Sequence, residues 1–179
     1  MTKSANIESI AKATGRSWGE WLDFLKHDTN TSHTDIARKV AAELRGKIDS
    51  HDWWAQGVTV AYEQHIGRRL PGQRPDGTFE FSVTKSLDGR REAVFLRVME
   101  WAKNRHEFRG FAIENARTST TEIRSYWRTT VADGTKLDFA VGPRANGGYM
   151  LAITQSKIIS KESSDAWRSF WKEQLATIN

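Results

Sequence analysis

Hydrophobic and polar positions in the first third of the chain follow the period of an α-helix. Ser17 and Glu20 are three residues apart, which is the spacing of a capping box at a helix start. Farther along, one apolar side chain recurs at every fourth position, on one face of a helix: Ile36, Val40, Leu44 and Ile48. The pattern predicts a small helical domain over residues 1–66, with helices at about 4–13, 17–26, 33–47 and 51–66.

The next segment interrupts this helical pattern. Residues 67–77 contain three glycines, two prolines and three arginines. Glycine and proline both break helices, so a helix cannot continue through this stretch. The sequence therefore predicts a connector over residues 67–78.

After the connector the period changes to two, which is typical of strands with one buried face. Phe79, Phe81 and Val83 alternate with polar residues. Asp88-Gly89 is expected to open a helix, and four strands are expected beyond the first. Within them Ile123 and Trp127 share the parity of the buried face. Asp133-Gly134 predicts a tight hairpin turn in which both positions have positive φ.

The last segment predicts a long amphipathic helix that Ser163 or Ser164 caps. Its apolar residues recur at helical spacing: Trp167, Phe170, Trp171, Leu175 and Ile178. Such a stripe has to be buried, and the inner face of the predicted sheet is the large apolar surface available to it. The predicted fold class is α+β, with the helical domain followed by an antiparallel sheet and its closing helix over residues 79–179.

Composition excludes several classes of protein. The chain has 179 residues and no cysteine, so disulfide scaffolds, thiol catalysis, iron–sulfur clusters and cysteine-bound zinc are excluded. Its apolar stretches are far shorter than the ~20 residues that span a bilayer. No apolar leader follows Met1, so a cytoplasmic, bacterial-type protein is expected. The net charge of +5 is spread over interleaved acids and bases, as on an ordinary solvated surface.

Catalytic motifs are missing from the sequence. The five histidines are scattered, and neither a His-Glu-x-x-His nor a Gly-x-Ser-x-Gly pattern occurs. Acid–base chemistry within the sheet would have to use Glu114, Glu122, Tyr126 or Tyr149, but Glu122 and Tyr126 share the parity of the solvated face. We therefore expect no enzyme, no bound metal and no cofactor.

The order strand, helix, antiparallel meander and long C-terminal helix is that of a helix-grip domain. Phe79–Ser86, with Ala93–Phe95 and Trp101, resembles the opening of START-like (SRPBCC) proteins of the heat-shock ATPase activator-homologue group. Trp127–Phe139 resembles their central hairpin. Gln155–Lys157, together with the segment 167–175, resembles their last strand and closing helix.

The first 66 residues resemble an uncharacterised bacterial helical domain, a domain of unknown function often joined to such proteins. The likeness rests on Thr14–Trp21, Ser32–Ile36 and Trp53–Glu63. The two resemblances imply a short helix-grip domain behind a helical one. They imply a role in binding a small hydrophobic ligand or in protein interaction.

Six aromatic residues are expected to converge where the last helix closes the sheet: Phe81, Trp127, Phe139, Tyr149, Trp167 and Trp171. Two interpretations follow. They form an ordinary packed core, or they line a pocket for a small apolar ligand. The short sheet favours the packed core, because six large side chains nearly fill the space that it encloses.

The leading hypothesis is a non-catalytic protein with a small apolar ligand or a protein partner. The alternative is a ligand-responsive regulator that binds nucleic acid through the N-terminal helices, with phosphate contacts from Arg38, Lys39, Arg45 and Lys47. A nucleic-acid partner is disfavoured because residues 1–78 carry 11 basic and 10 acidic groups, an excess of only one. The sequence does not indicate an oligomeric state.

Overall fold

The computed structural model describes residues 6–178. The chain is α+β and divides into two compact units, Met1–Pro71 and Gly72–Asn179. The expected connector is shared between them. Arg69 contacts Glu63 in the first unit, whereas the Glu80 amide donates to the Gly72 carbonyl in the second.

The first unit consists of four helices: α1 (Ile7–Thr14), α2 (Trp18–Leu25), α3 (His33–Leu44) and α4 (His51–His65). The predicted capping box at α2 is present, because Ser17 accepts from the Glu20 amide and Glu20 reaches back to the Ser17 amide. Ser32 caps α3 by accepting from the Asp35 amide, without a reciprocal bond to its own amide among the described contacts. The predicted start of α1 near residue 4 lies outside the described residues.

The polar groups of the buried rings in the helical unit are hydrogen-bonded within its core. Trp21 is fully buried, and its indole N–H donates to Thr14 Oγ1 over 3.1 Å. The buried Tyr62 hydroxyl donates to the Leu25 carbonyl over 2.7 Å. Burial raises the pKa of this hydroxyl, since desolvation penalises its ionised form.

The second unit is one antiparallel sheet with two helices. Its elements are β1 (Phe79–Leu87), α5 (Arg91–Lys103), β2 (Glu107–Phe108), β3 (Phe111–Thr120), β4 (Ser125–Val131), β5 (Lys136–Pro143), β6 (Tyr149–Ile158) and α6 (Lys161–Thr177). The strand order is β1-β6-β5-β4-β3-β2. Five strands thus follow the first, where four were expected. The shortest of them, β2, pairs with the start of β3.

Alternation along the strands gives the sheet one buried face. Every second residue of β4 is buried, from Ser125 to Val131, as the period of two predicts. Helices α5 and α6 pack on the strands, α5 against β4 and β5 and α6 against β1 and β6. Ile123 was expected on this face, but it lies in the turn before β4 and is 62% exposed.

Two helix starts differ from the sequence prediction. Helix α6 begins three or four residues earlier than expected, because Ser160, and not Ser163 or Ser164, is the N-cap and accepts from the Ser163 amide over 3.1 Å. Helix α5 begins at Arg91, and its N-cap Arg90 makes no side-chain capping bond. Asp88-Gly89 therefore precedes this helix and does not open it.

The turn at Asp133-Gly134 also differs from the prediction. Gly134 has a φ of 85°, whereas Asp133 does not have a positive φ. The Gly134 amide donates to the Val131 carbonyl, and the Val131 amide donates to the Thr135 carbonyl. This is the three-residue loop with glycine in the left-handed position, not the two-residue turn. Asp133 stabilises it by accepting from the Thr135 amide.

Candidate functional site

The predicted aromatic residues lie on the inner face of the sheet and on α6, which packs against it. Five of them are buried in one cluster: Phe81, Trp127, Phe139, Trp167 and Trp171. Tyr149 is half-buried and packs against its edge. Phe81 lies away from the other rings, beneath the Arg168 guanidinium at 4.7 Å. Burial lowers the pKa of Arg168, because desolvation penalises its charge.

Phe108, which is not among the predicted pocket residues, occupies the centre of this cluster. Its ring centroid lies 4.8 Å from that of Trp171, 6.3 Å from that of Trp127 and 6.4 Å from that of Phe139. Trp101 and Phe170 approach it within 6.0 and 6.3 Å. These are the separations of rings in direct contact. The space between the predicted pocket residues is therefore occupied by the domain's own side chains.

The polar atoms of the cluster are bonded within the protein. Trp171 Nε1 donates to Gln155 Oε1 over 2.5 Å, and Gln155 Nε2 donates to Thr135 Oγ1 over 2.8 Å. Trp167 Nε1 donates to Asp133 Oδ2 over 3.0 Å. Gln155 is fully buried. These bonds fix the indole rings in place and use the polar groups that a ligand would otherwise contact.

The outer face of the sheet is built differently. Small residues, Ala140 and Ala152, form the floor of a shallow cleft of about 290 Å³, and Tyr126 and Arg124 line its wall. A Cβ added to Gly142 would lie 2.7 Å from Cγ of Arg124, so glycine lets the arginine chain lie flat on the strand. This face offers cations and a tyrosine ring to solvent.

An ion pair crosses the middle of this outer face. Arg128 Nε lies 2.6 Å from Asp138 Oδ2, and the two residues are register partners on β4 and β5. The Arg128 guanidinium also lies 4.0 Å from the Tyr126 ring. A second cleft of about 380 Å³ runs from this pair towards β3, with Arg117 and Lys136 in its lining.

Strand β3 is exposed along most of its length. It pairs with β4 on one side. On its other side, the β2 pairing reaches only Phe111 and Ala112 among the described residues. All residues from Glu114 to Thr120 are exposed. Its threonines are β-formers, but the sequence pattern does not reveal this strand, because neither face is buried and the polarity of its residues does not alternate.

The helical unit carries an apolar cleft of its own. It has a volume of about 530 Å³ and lies between α1 and α4, where Ile10, Trp54 and Val60 line it. Trp53 stands at its edge and is 66% exposed, with its ring 4.6 Å from that of Trp54.

The candidate phosphate contacts of the helical unit are mostly paired with acids. Arg38 Nη1 lies 2.5 Å from Asp35, Lys39 Nζ 2.6 Å from Asp28, and Lys47 Nζ 2.6 Å from Glu43. The fourth candidate, Arg45, is the C-cap of α3. Three of the four charges are thus already balanced locally, which leaves less positive potential for a nucleic-acid backbone.

A buried carboxylate in the same unit gathers several partners. Glu63 Oε2 lies 2.9 Å from His33 Nδ1 and 3.3 Å from Arg69 Nη1. His33 Nε2 contacts Gln56 Oε1 at 2.9 Å. These contacts tie α3, α4 and the following residues together. Among residues 6–178, no group of three or more potential metal ligands occurs.

Comparisons with known proteins identified no relative of this chain. A scan against protein-family models, a search of curated proteins and a search of solved structures each found no significant match. Within the described part of the chain, no helix is long and apolar enough to cross a membrane.

Proposed function

We propose that residues 72–179 form a helix-grip domain of the START-like type, and that the protein is non-catalytic and acts by binding another protein. The element order supports the first part: a strand, a helix, an antiparallel meander and a closing C-terminal helix. The stretches that resemble START-like proteins of the activator-homologue group fall on β1, α5, the β4–β5 hairpin, β6 and α6.

The sequence left open two roles, binding of a small apolar ligand and protein interaction. The position of Phe108 supports the second. A carrier of a small apolar ligand needs an open volume of several hundred Å³ among apolar side chains. Here the Phe108 ring is inserted between Trp127, Phe139 and Trp171. A role in protein interaction needs no internal cavity, and it uses surfaces such as the outer face and the exposed strand β3.

Native mass spectrometry of the purified full-length chain tests the absence of an internal ligand. We expect the mass of the polypeptide alone, identical under native and denaturing conditions. A co-purified apolar compound that dissociates on denaturation would replace this proposal with a ligand carrier.

A cavity variant makes the same test independent of what co-purifies. Phe108→Ala removes the central ring, and the emptied apolar space is then available to indole. Indole should raise the melting temperature of Phe108→Ala and leave that of the wild-type protein unchanged. If Phe108→Ala does not fold, Phe108→Val serves in its place. Equal stabilisation of the wild-type protein by indole would reveal an open cavity and contradict the proposal.

The binding role itself is tested by affinity capture on the immobilised full-length chain from lysates of the source cell. A protein retained at fixed stoichiometry, and retained equally by Phe108→Val, is expected. Retention of no protein at stoichiometric level would overturn the interaction role.

A further inference from the structure

The exposed edge of β3 has main-chain groups available to another strand. Thr121 N–H donates to the Arg124 carbonyl over 2.8 Å, in the turn towards β4. Main-chain groups of successive residues point alternately to the two sides of a strand. Thr118 and Thr120 therefore direct their N–H and C=O groups away from β4. At the start of β3 the main-chain groups of the odd-numbered Ile113 point outward, and its amide donates to the His106 carbonyl; the bulge between Glu114 and Arg117 shifts the register by one residue, so that those of even-numbered residues point outward after it.

The opposite edge of the sheet is partly covered. Strand β1 receives the preceding segment, since the Glu80 amide donates to the Gly72 carbonyl and Gln73 bridges to Phe79. Farther along β1, the Lys85 ammonium donates to the Leu175 and Ile178 carbonyls at the end of α6. The β3 edge, with residues 114–120 exposed, is therefore the more accessible of the two.

Two cations, Arg117 and Lys136, line the cleft beside β3 on the outer face, and Arg117 is exposed. The two carboxylates in the same lining are paired with other arginines: Asp138 with Arg128, and Glu80 with Arg74 at 3.5 Å. Glu114 is exposed on the same face but lies on the other side of the bulge in β3. The cleft of about 380 Å³ opens directly beside β3 at Asn115, whose φ of 53° marks the bulge in the strand.

From these observations we propose that the β3 edge binds an extended acidic segment of a partner protein as an added strand. The inference rests on the proposed interaction role and names the surface and the partner chemistry. Main-chain bonds to Thr118 and Thr120 hold the segment, as in β-strand addition generally. An acidic side chain of the segment lies over the outer face beside Arg117.

A second copy of the chain supplies no acid to this edge. Symmetric antiparallel pairing through the outward groups of Thr118 and Thr120 is centred on Ser119, and it places Arg117 opposite Thr121 of the other copy. A partner strand with an acid at that position gains the attraction instead.

The test uses the full-length protein and two short fluorescein-labelled peptides, one with glutamate alternating with valine and one with lysine alternating with valine. Fluorescence anisotropy should show binding of the glutamate peptide and none of the lysine peptide. On binding, the amides of Thr118 and Thr120 should exchange hydrogen more slowly, whereas amides on the free edge of β1 should not change.

Thr118→Pro is the decisive variant. Proline is tolerated on an edge strand where the lost N–H faces solvent, so the fold should persist. Because the donor is lost, affinity for the glutamate peptide should fall by roughly tenfold. Thr118→Ala keeps the N–H and should bind like the wild type. Arg117→Glu should lower the affinity for the glutamate peptide by a similar factor and raise the affinity for the lysine peptide.

Several results would overturn the inference: failure of the glutamate peptide to bind, equal binding of both peptides, wild-type affinity in a folded Thr118→Pro, or a dimer paired through β3. A cellular partner that still binds Thr118→Pro would show that the β3 edge is not its binding site, without contradicting the proposed role in protein interaction. A co-purified apolar ligand would overturn the role itself, so the two failures are distinguishable.

Discussion

Alternate residues of the same strands build the two faces of the sheet, yet the faces differ in how completely their groups are engaged. Gln155 on the inner face is fully buried and hydrogen-bonded to Trp171 and Thr135. Its neighbour Thr154 on the outer face lines two clefts and contacts Ser82. The inner face is thus specified by internal contacts, whereas the outer face keeps groups that other molecules can reach.

Because of this difference, alternate residues of one strand are expected to serve stability and binding separately. Residues of the inner face are constrained by packing, and their substitution is expected to destabilise the domain. Residues of the outer face and of β3 contribute little to stability, so their substitution changes binding without loss of the fold.

The largest expected effect is that of Trp171→Ala. The ring is fully buried between Phe108 and Phe139. Its removal should lower the free energy of unfolding by about 3–5 kcal/mol, as for other large-to-small core substitutions. Urea unfolding followed by circular dichroism measures the loss. Tyr126→Ala, on the outer face, is the matched control and should cost about 1 kcal/mol or less. Equal losses in the two variants would show that the faces are not distinct.

Gln155→Ala comes next. It leaves the buried Trp171 N–H without its acceptor and opens a small cavity, at a cost of about 2–3 kcal/mol. The neighbouring Thr154→Ala, on the other face, should change stability by no more than about 0.5 kcal/mol. In Trp171→Phe, which lacks the N–H, Gln155→Ala should cost measurably less. Additive losses in this double-mutant cycle would contradict a direct bond between the two side chains.

The fold class and the inner face were predictable because both depend on periodicity. Trp127 and Phe139 share the parity of the buried positions, and Trp171 follows the helical spacing of α6, so their burial could be inferred from the sequence. How the rings pack against each other could not be inferred in this way. Phe108 lies in a strand of two residues, which is too short to show any period.

Strand β3 and the start of α6 escaped prediction for different reasons. Residues 114–120 are exposed on both faces, so the alternation that predicts strands is absent. At α6, Ser160, Ser163 and Ser164 are all acceptable caps by residue type. The choice of Ser160 depends on the backbone at the end of β6, and residue type does not reveal it.

A smaller effect is expected for Arg128→Ala on the outer face. Arg128 Nε and Asp138 Oδ2 are 2.6 Å apart, but both side chains are about a third exposed. Such pairs contribute roughly 0–1 kcal/mol, and added salt reduces the contribution further. Chemical unfolding in urea at low and high salt measures the change. Arg124→Ala, on the same face but not paired with Asp138, should show no comparable salt dependence. A loss as large as that of Gln155→Ala would contradict the separation of the faces.

The smallest effect concerns acid and the pair of Asp76 with Lys157. A hydrogen bond from the Lys157 ammonium, followed by bonds from the Thr78 hydroxyl and amide, holds the pKa of Asp76 well below its ordinary value of 3.8. A carboxyl whose pKa is depressed on folding stabilises the folded state above its ordinary value, and this contribution is lost as pH falls through the depressed range. The wild-type protein should therefore lose stability relative to Asp76→Asn below about pH 4.

The bonds of Gln155 to Trp171 and Thr135 involve no carboxylate, so the cost of Gln155→Ala should be the same on both sides of that pH. Melting temperatures of the three proteins between neutral pH and the acid limit of folding measure both trends. A constant difference between wild type and Asp76→Asn would show that the surface pair does not contribute to acid sensitivity.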